Sequence, residues 1–136
     1  MTQGEKQLLL KDLCARLPYG VKILDIPANV VGEPFLVSTT DTVEYETNDD
    51  TGVQTLCNIK PYLRPMSSMT EEEKKMVCSM NGLSDTELND RAEYPNMYAQ
   101  NYTIETFDLF NAHHIDYRGL IPMGLALEAK EGMYEG

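Results

Sequence analysis

Two helix starts follow one another in the middle of the chain, and they constrain its fold more than any other feature. The segments Thr70–Glu73 and Ser84–Glu87 each place a hydroxyl side chain three residues before a glutamate. In such a capping box the hydroxyl accepts from a backbone N–H of the first turn, and the glutamate accepts from the N–H of the capping residue. The pattern predicts two successive helices, the first with Met76, Val77 and Met80 facing the core.

Residues 4–17 have the spacing of an amphipathic helix. Apolar residues form one stripe with a period near 3.6, namely Leu9, Leu10, Leu13, Cys14 and Leu17. The charged residues fall on the other side and are expected to face solvent, namely Lys6, Lys11, Asp12 and Arg16. A further helix is predicted to begin after Thr103 and to end near His113, where one histidine suits the partial negative charge of the helix end.

Strands are predicted between these helices. Residues 21–26 alternate well enough for a first strand, and segments 42–47 and 53–60 form an antiparallel hairpin around the loop at Asn48–Gly52. Four apolar residues share parity and are expected to face inward, namely Phe35, Val37, Val43 and Tyr45. The segment Lys60–Pro65 is expected to leave the sheet, because its two prolines cannot donate to a ladder.

These elements predict a single α+β domain over residues 1–136. Its small antiparallel sheet of three or four strands carries an N-terminal amphipathic helix, and the C-terminal helices pack on one face. Residues 131–136 are expected to form a flexible tail.

Charge is distributed unevenly. From Ile23 to Ile59 the chain has seven carboxylates and neither lysine nor arginine, within a formal net charge of −11. This imbalance repels nucleic acid and anionic membranes, and it offers a surface to basic partners. We therefore expect a protein partner and no direct nucleic-acid binding, with a contact surface at Glu44, Glu46, Asp49 and Asp50.

Other motifs narrow the class of protein. The three cysteines, Cys14, Cys57 and Cys78, are far apart and include no Cys-x-x-Cys pair, so each is expected to be a small buried hydrophobe. The chain has no P-loop and no dinucleotide fingerprint, so no cofactor is predicted. No apolar run approaches the ~20 residues of a membrane span, and no signal peptide is read, which predicts a cytoplasmic protein.

Both histidines of the chain lie in His113-His114-x-Asp116. Imidazole and carboxylate can bind a divalent transition metal or act as base and orienter. Adjacent helical residues point about 100° apart, however, so this spacing favours a structural role over a shared metal. A metal-binding or metal-dependent hydrolase domain centred on His113, His114 and Asp116 is the alternative prediction.

Two longer segments carry a resemblance, Ile59–Lys74 and Phe107–Ile121, together with Gly124–Ala129 and Glu131–Tyr134. They resemble small uncharacterised proteins of gut Bacteroides and of their phages and mobile elements. The likeness covers the second half of the chain and the helix at residues 8–19, and Pro122-Met123 departs from it. The resemblance has no assigned activity, so it implies only a bacterial cytoplasm and a phage-related origin.

The expected function is non-enzymatic interaction through the acidic hairpin. One form of this hypothesis is a mimic of nucleic acid that blocks a basic DNA-binding protein. Composition leaves the oligomeric state open.

Overall fold

The structure, a computed structural model, describes residues 1–38 and 40–134. Four helices and six strands follow one another in these residues: α1 Gln3–Arg16, β1 Ile23–Asp25, β2 Val30–Val37, β3 Thr42–Glu46, β4 Thr51–Thr55, β5 Ile59–Leu63, α2 Glu71–Asn81, α3 Asp85–Glu93, α4 Ile104–Ala112 and β6 Leu127–Glu128. The strands form one sheet in the order β4-β3-β2-β1-β5-β6, antiparallel except for the β5–β6 pair. The predicted α+β class is confirmed, with more strands than the three or four expected.

The predicted helix starts are confirmed. Thr70 and Ser84 each accept from the N–H of a glutamate three residues on, and both reciprocal bonds of each capping box are present. Thr2 forms a third capping box with Glu5, which starts α1 at Gln3. Val77 is buried in α2 as expected, whereas Met76 is exposed and the prediction that it faces the core is wrong.

The polar side of α1 differs from the prediction. Leu9 and Leu13 are buried against the sheet, but Asp12 and Arg16 are also fully buried, while Cys14 is exposed. The expectation that Asp12 and Arg16 face solvent is wrong, because that side of the helix contacts residues 110–118. Cys57 is exposed as well, so the expectation of buried cysteines is wrong at both positions.

The segment after Ile59 stays in the sheet, contrary to expectation. β5 lies between β1 and β6, and Pro61 is buried opposite Ile23. The N–H of Tyr62 donates to the carbonyl of Lys22, so by alternation the nitrogen of Pro61 faces the other edge. There β6 pairs only with the last two residues of β5, so the missing N–H of Pro61 breaks no ladder bond.

A β-bulge in β2 changes which side chains face outward. The β2–β3 register shifts between Pro34 and Leu36, so one extra residue, Phe35, sits opposite no partner. Val43 and Tyr45 face the core as predicted, whereas Phe35 is 52% exposed and its predicted inward position is wrong. The predicted hairpin is confirmed as β3 and β4, although β4 ends at Thr55 rather than continuing to residue 60.

Two apolar clusters hold the molecule together. One lies between α1 and the inner face of the sheet, with Leu9, Leu13, Ile23, Val43 and Leu63 among its members. The other joins helices α2, α3 and α4 to the segment after α4 and includes Val77, Leu88, Phe110 and Tyr117. None of the helices within residues 1–38 and 40–134 combines the length and apolar character needed to cross a bilayer.

Of the predicted tail, residues 131–134 are described and residues 135–136 lie outside the described part. The hydroxyl of Tyr134 donates to the carbonyl of Tyr62 at 2.6 Å and accepts from the N–H of Lys22 at 2.8 Å. These two bonds hold the segment after β6 against the sheet.

Candidate functional site

The outer face of β2, β3 and β4 is the first candidate site, because its side chains remain accessible. The register aligns Leu36, Glu44 and Val53 in one row across the three strands. The neighbouring row consists of Glu33, Glu46 and Thr51. Val53 is 60% exposed and Leu36 is 49% exposed. We call this surface, consisting of Glu33, Leu36, Glu44, Glu46 and Val53, the acidic sheet face.

The turn between β3 and β4 extends this surface. The Thr47 hydroxyl accepts from the N–H groups of Asp49 and Asp50, and the Thr47 N–H donates to the carbonyl of Asp50 at 2.7 Å. These bonds stabilise the turn, and the carboxylate of Asp49 is exposed. The carboxylate of Asp50 accepts from the N–H of Thr51 at 2.8 Å.

The structure brings the predicted interaction residues to one end of the sheet. Glu46 and Asp49 line an open groove of about 560 Å³ together with Lys22 and Glu33, and Glu44 lies one row away. Within residues 1–38 and 40–134, none of the predicted residues Glu44, Glu46, Asp49 and Asp50 forms an ion pair. Their charge is therefore available to a partner.

The residues of the metal-binding alternative do not converge. His114 has a φ of 61°, in the left-handed region, so the chain turns sharply after His113. Asp116 is buried and accepts from the N–H groups of Leu120 and Ile121 at 2.8 and 2.9 Å. Burial raises the pKa of Asp116, and these two bonds offset the effect only in part. In the part of the chain that the structure describes, no three His, Cys, Asp or Glu side chains are placed to hold a metal ion, so donor geometry gives this alternative no support.

His113 instead contacts Glu73, which sequence reasoning assigns only to helix capping. Its Nδ1 lies 2.6 Å from Oε2 of Glu73. Arg64 donates to both oxygens of the same carboxylate at 2.9 and 2.7 Å, and the N–H of Thr70 donates at 2.8 Å. Burial alone would raise the pKa of Glu73, but the bonds from Arg64, Thr70 and His113 outweigh it and lower that pKa to about 2.

This arrangement fixes the tautomer of the His113 ring. Because the carboxylate of Glu73 is ionised at neutral pH, it can only accept hydrogen bonds. In the neutral imidazole Nδ1 therefore carries the hydrogen and Nε2 carries the lone pair. The His113 side chain is 42% exposed, and no described residue donates to its Nε2. In the neutral ring, Nε2 is thus a hydrogen-bond acceptor that the contact with Glu73 holds in one orientation.

His114 forms a second wall beside it. Its ring stacks on that of Tyr134 with centroids 3.7 Å apart, and its Nδ1 is buried without a hydrogen-bond partner among the described residues. Burial, followed by nearby positive charge of which Arg16 is the largest source, lowers the pKa of His114 to about 4. His114 is therefore neutral at pH 7, and it contributes a stacking surface.

A cleft of about 550 Å³ lies between these groups. Three segments line it: the end of α4 with His113 and His114, the loop after β5 with Arg64 and Ser68, and residues 128–134. Its volume is in the range of about 300–1,000 Å³ that is typical of small-molecule sites. We call it the His113 cleft.

Sequence reasoning predicts that a histidine closes α4, and His113 occupies that position. The sequence does not predict the partners of His113. Glu73 and Arg64 lie 40 and 49 positions away from it, and no local pattern connects either residue with His113. The one available signal is Arg64 itself, a cation between two prolines in an otherwise apolar segment.

Comparison of the chain with family models, with curated proteins and with solved structures finds no match in any of the three.

Proposed function

We propose that this protein is an interaction module that binds a basic protein partner through the acidic sheet face, by complementarity and without catalysis at that face. On the resemblance described above, we place this role in a bacterial cytoplasm and in a phage or mobile-element context. The observation that carries the proposal is the pair of rows on β2–β4: one places Glu44 between the exposed apolar side chains of Leu36 and Val53, and the other adds the carboxylates of Glu33 and Glu46.

Each part of the face supports a different aspect of binding. The carboxylates of Glu33, Glu44 and Glu46 form no ion pair within the described residues, so they can steer a basic partner and raise its association rate. The apolar side chains of Leu36 and Val53 supply surface whose burial contributes affinity. A partner that fits therefore carries lysine or arginine around a small apolar centre.

The proposal can be tested by capture from a Bacteroides lysate at low and high salt, read by mass spectrometry, and then by measuring affinity for the purified partner. Neutralising the predicted residues in a quadruple variant, E44Q/E46Q/D49N/D50N, is expected to weaken binding by at least about tenfold and to flatten its salt dependence.

A matched control removes the same charge from the helices, in E72Q/D90N/E93Q/D108N, whose four side chains are all exposed. This control is expected to keep the affinity within about threefold. Equal losses in the two quadruple variants would contradict a localised site. Competition by duplex DNA for the same partner would identify the interaction as mimicry of nucleic acid.

A further inference from the structure

We propose that the His113 cleft binds a small molecule with an aromatic or other flat apolar body and one hydroxyl group, which donates a hydrogen bond to Nε2 of His113. This site is separate from the acidic sheet face, and it would give the interaction module a small-molecule ligand.

The acceptor is fixed before any ligand arrives. Glu73 accepts the hydrogen bond from Nδ1 and does not line the cleft, whereas His113 does. Arg64 immobilises Glu73 through two bonds and also donates to the carbonyls of Ser68 and His113. A ligand donor therefore meets a ring whose orientation and tautomer are already set, and little further ordering is required.

The other residues that line the cleft determine which kind of ligand fits beside His113. Apolar surface comes from Pro65, Ala112, Ala129 and Met133, and the Tyr134 ring is held by its bonds to Tyr62 and Lys22. The formal charges of the lining balance, since it includes two cations, Arg64 and Lys130, and two anions, Glu128 and Glu131. A strongly charged ligand gains nothing from such a lining, whereas a flat neutral one gains apolar contact.

Both terminal nitrogens of the Arg64 guanidinium already donate to Glu73 and to backbone carbonyls. Arg64 therefore has no free pair of terminal N–H groups with which to grip an anion, which separates this cleft from an ordinary phosphate or carboxylate site. Nε2 of His113 is held in place and has no partner among the described residues. As a hydrogen-bond acceptor, it suits a ligand with a hydroxyl donor.

The test uses phenol and anisole as probes, because they share a ring and differ in the hydroxyl donor. The chain has two histidines, so their ring signals can be followed by NMR at pH 8 and assigned with the H113N variant. Phenol is expected to shift the His113 signals along a saturable curve. Anisole is expected to bind at least about fivefold more weakly, since it cannot form the hydrogen bond.

Two variants make the result specific. In H113N, binding is followed through the ring signals of His114, which also lines the cleft. The amide can still donate to Glu73, but it ends short of the position of Nε2, so the preference for phenol over anisole should disappear. M97A removes an apolar side chain that is 70% exposed elsewhere, and it should leave both affinities unchanged. Equal binding of phenol and anisole to the native protein, or unchanged selectivity in H113N, would overturn the proposal. So would an Nε2–H tautomer of His113 in a long-range ¹H–¹⁵N spectrum.

Discussion

Arg16 shows how a single residue can join distant parts of the chain. It is fully buried, and its guanidinium donates to both oxygens of Asp12 at 2.9 and 3.1 Å and to the carbonyl of Ile115 at 2.7 Å. Arg118 donates to the same carboxylate at 3.0 Å, and both guanidinium groups lie about 5 Å from the ring centre of Tyr117. A buried charge is tolerated here because its hydrogen-bonding groups find partners.

We predict that D12N destabilises the protein by about 3–5 kcal/mol. The substitution keeps the size of the side chain but leaves the buried charge of Arg16 without its counter-ion. The measurement is the free energy of unfolding in urea at pH 7. K11A, at the exposed neighbouring position, is the control and should change that free energy by less than about 0.5 kcal/mol. A loss below ~1 kcal/mol for D12N would contradict the role assigned to this pair.

At the residue scale, the sequence could predict Leu9 and Leu13 as core, because their spacing matches the helix period. It could not predict the burial of Asp12 and Arg16. An acidic and a basic residue four positions apart on a helix ordinarily form a solvated pair. Only the segment at 110–118, distant in sequence, turns that pair into part of the interior.

The two capping boxes of α2 and α3 offer a matched comparison at the scale of the element. Glu87 is exposed, and among the described residues its carboxylate accepts only from the N–H of Ser84. The equivalent Glu73 is buried and additionally contacts Arg64 and His113, which ties the start of α2 to the end of α4. The same local motif therefore has a purely local role in one helix and a tertiary role in the other.

We predict that E73Q costs about 2–3 kcal/mol of unfolding free energy at pH 7, while E87Q costs less than ~0.5 kcal/mol. Glutamine keeps an acceptor for the cap in both variants, so the difference isolates the charge of Glu73 and its partner Arg64. Urea denaturation followed by circular dichroism measures both values. Similar costs for the two variants would show that the contacts of Glu73 with Arg64 and His113 contribute little.

Local patterns predict helix starts well because a capping box is complete within four residues. Strands are less predictable, because pairing with neighbouring strands can outweigh the preference of the strand's own residues. Pro61 argues against a strand, yet β5 accommodates it because its nitrogen faces the edge beside the short β6. Strict alternation along the strand predicts that Phe35 faces inward. The one extra residue at the bulge in β2 turns its side chain outward instead.

At the scale of the whole molecule, two depressed pKa values predict a stepwise loss of stability in acid. The unfolded chain protonates His114 below its ordinary pKa of 6.5, whereas the native state resists protonation until about pH 4. Stability therefore falls as the pH drops through this window, by on the order of 3 kcal/mol. Glu73 adds a second loss of similar size between pH 4.5 and about 2. The raised pKa of Asp116 acts in the opposite direction.

The measurement is the urea midpoint across pH 7 to 3. H114N should flatten the upper step, since asparagine tolerates the left-handed backbone but does not titrate. The lower step should remain in this variant. A native protein with constant stability between pH 6.5 and 5 would contradict the assignment to His114.

The two candidate sites differ in how far sequence predicts them. The acidic sheet face follows from Glu44 and Glu46 in one strand, so alternation alone places them together. The His113 cleft requires α4, the loop after β5 and the segment after β6 to meet, and no periodicity encodes that meeting. The capping box alone accounts for a glutamate at position 73, so the sequence gives no reason to expect that Glu73 also contacts Arg64 and His113.

The buried network of Asp12, Arg16 and Arg118 also has a consequence for the order in which the protein folds. Its bonds join positions 99 and 106 residues apart, so α1 cannot bury its polar side until residues 110–118 are in place. Contacts of such separation form slowly, because a long loop must close first. On the ribosome, a nascent chain that lacks this segment would leave the polar side of α1, with Asp12 and Arg16, open to solvent. Productive folding is thereby delayed until the later helices have been synthesised.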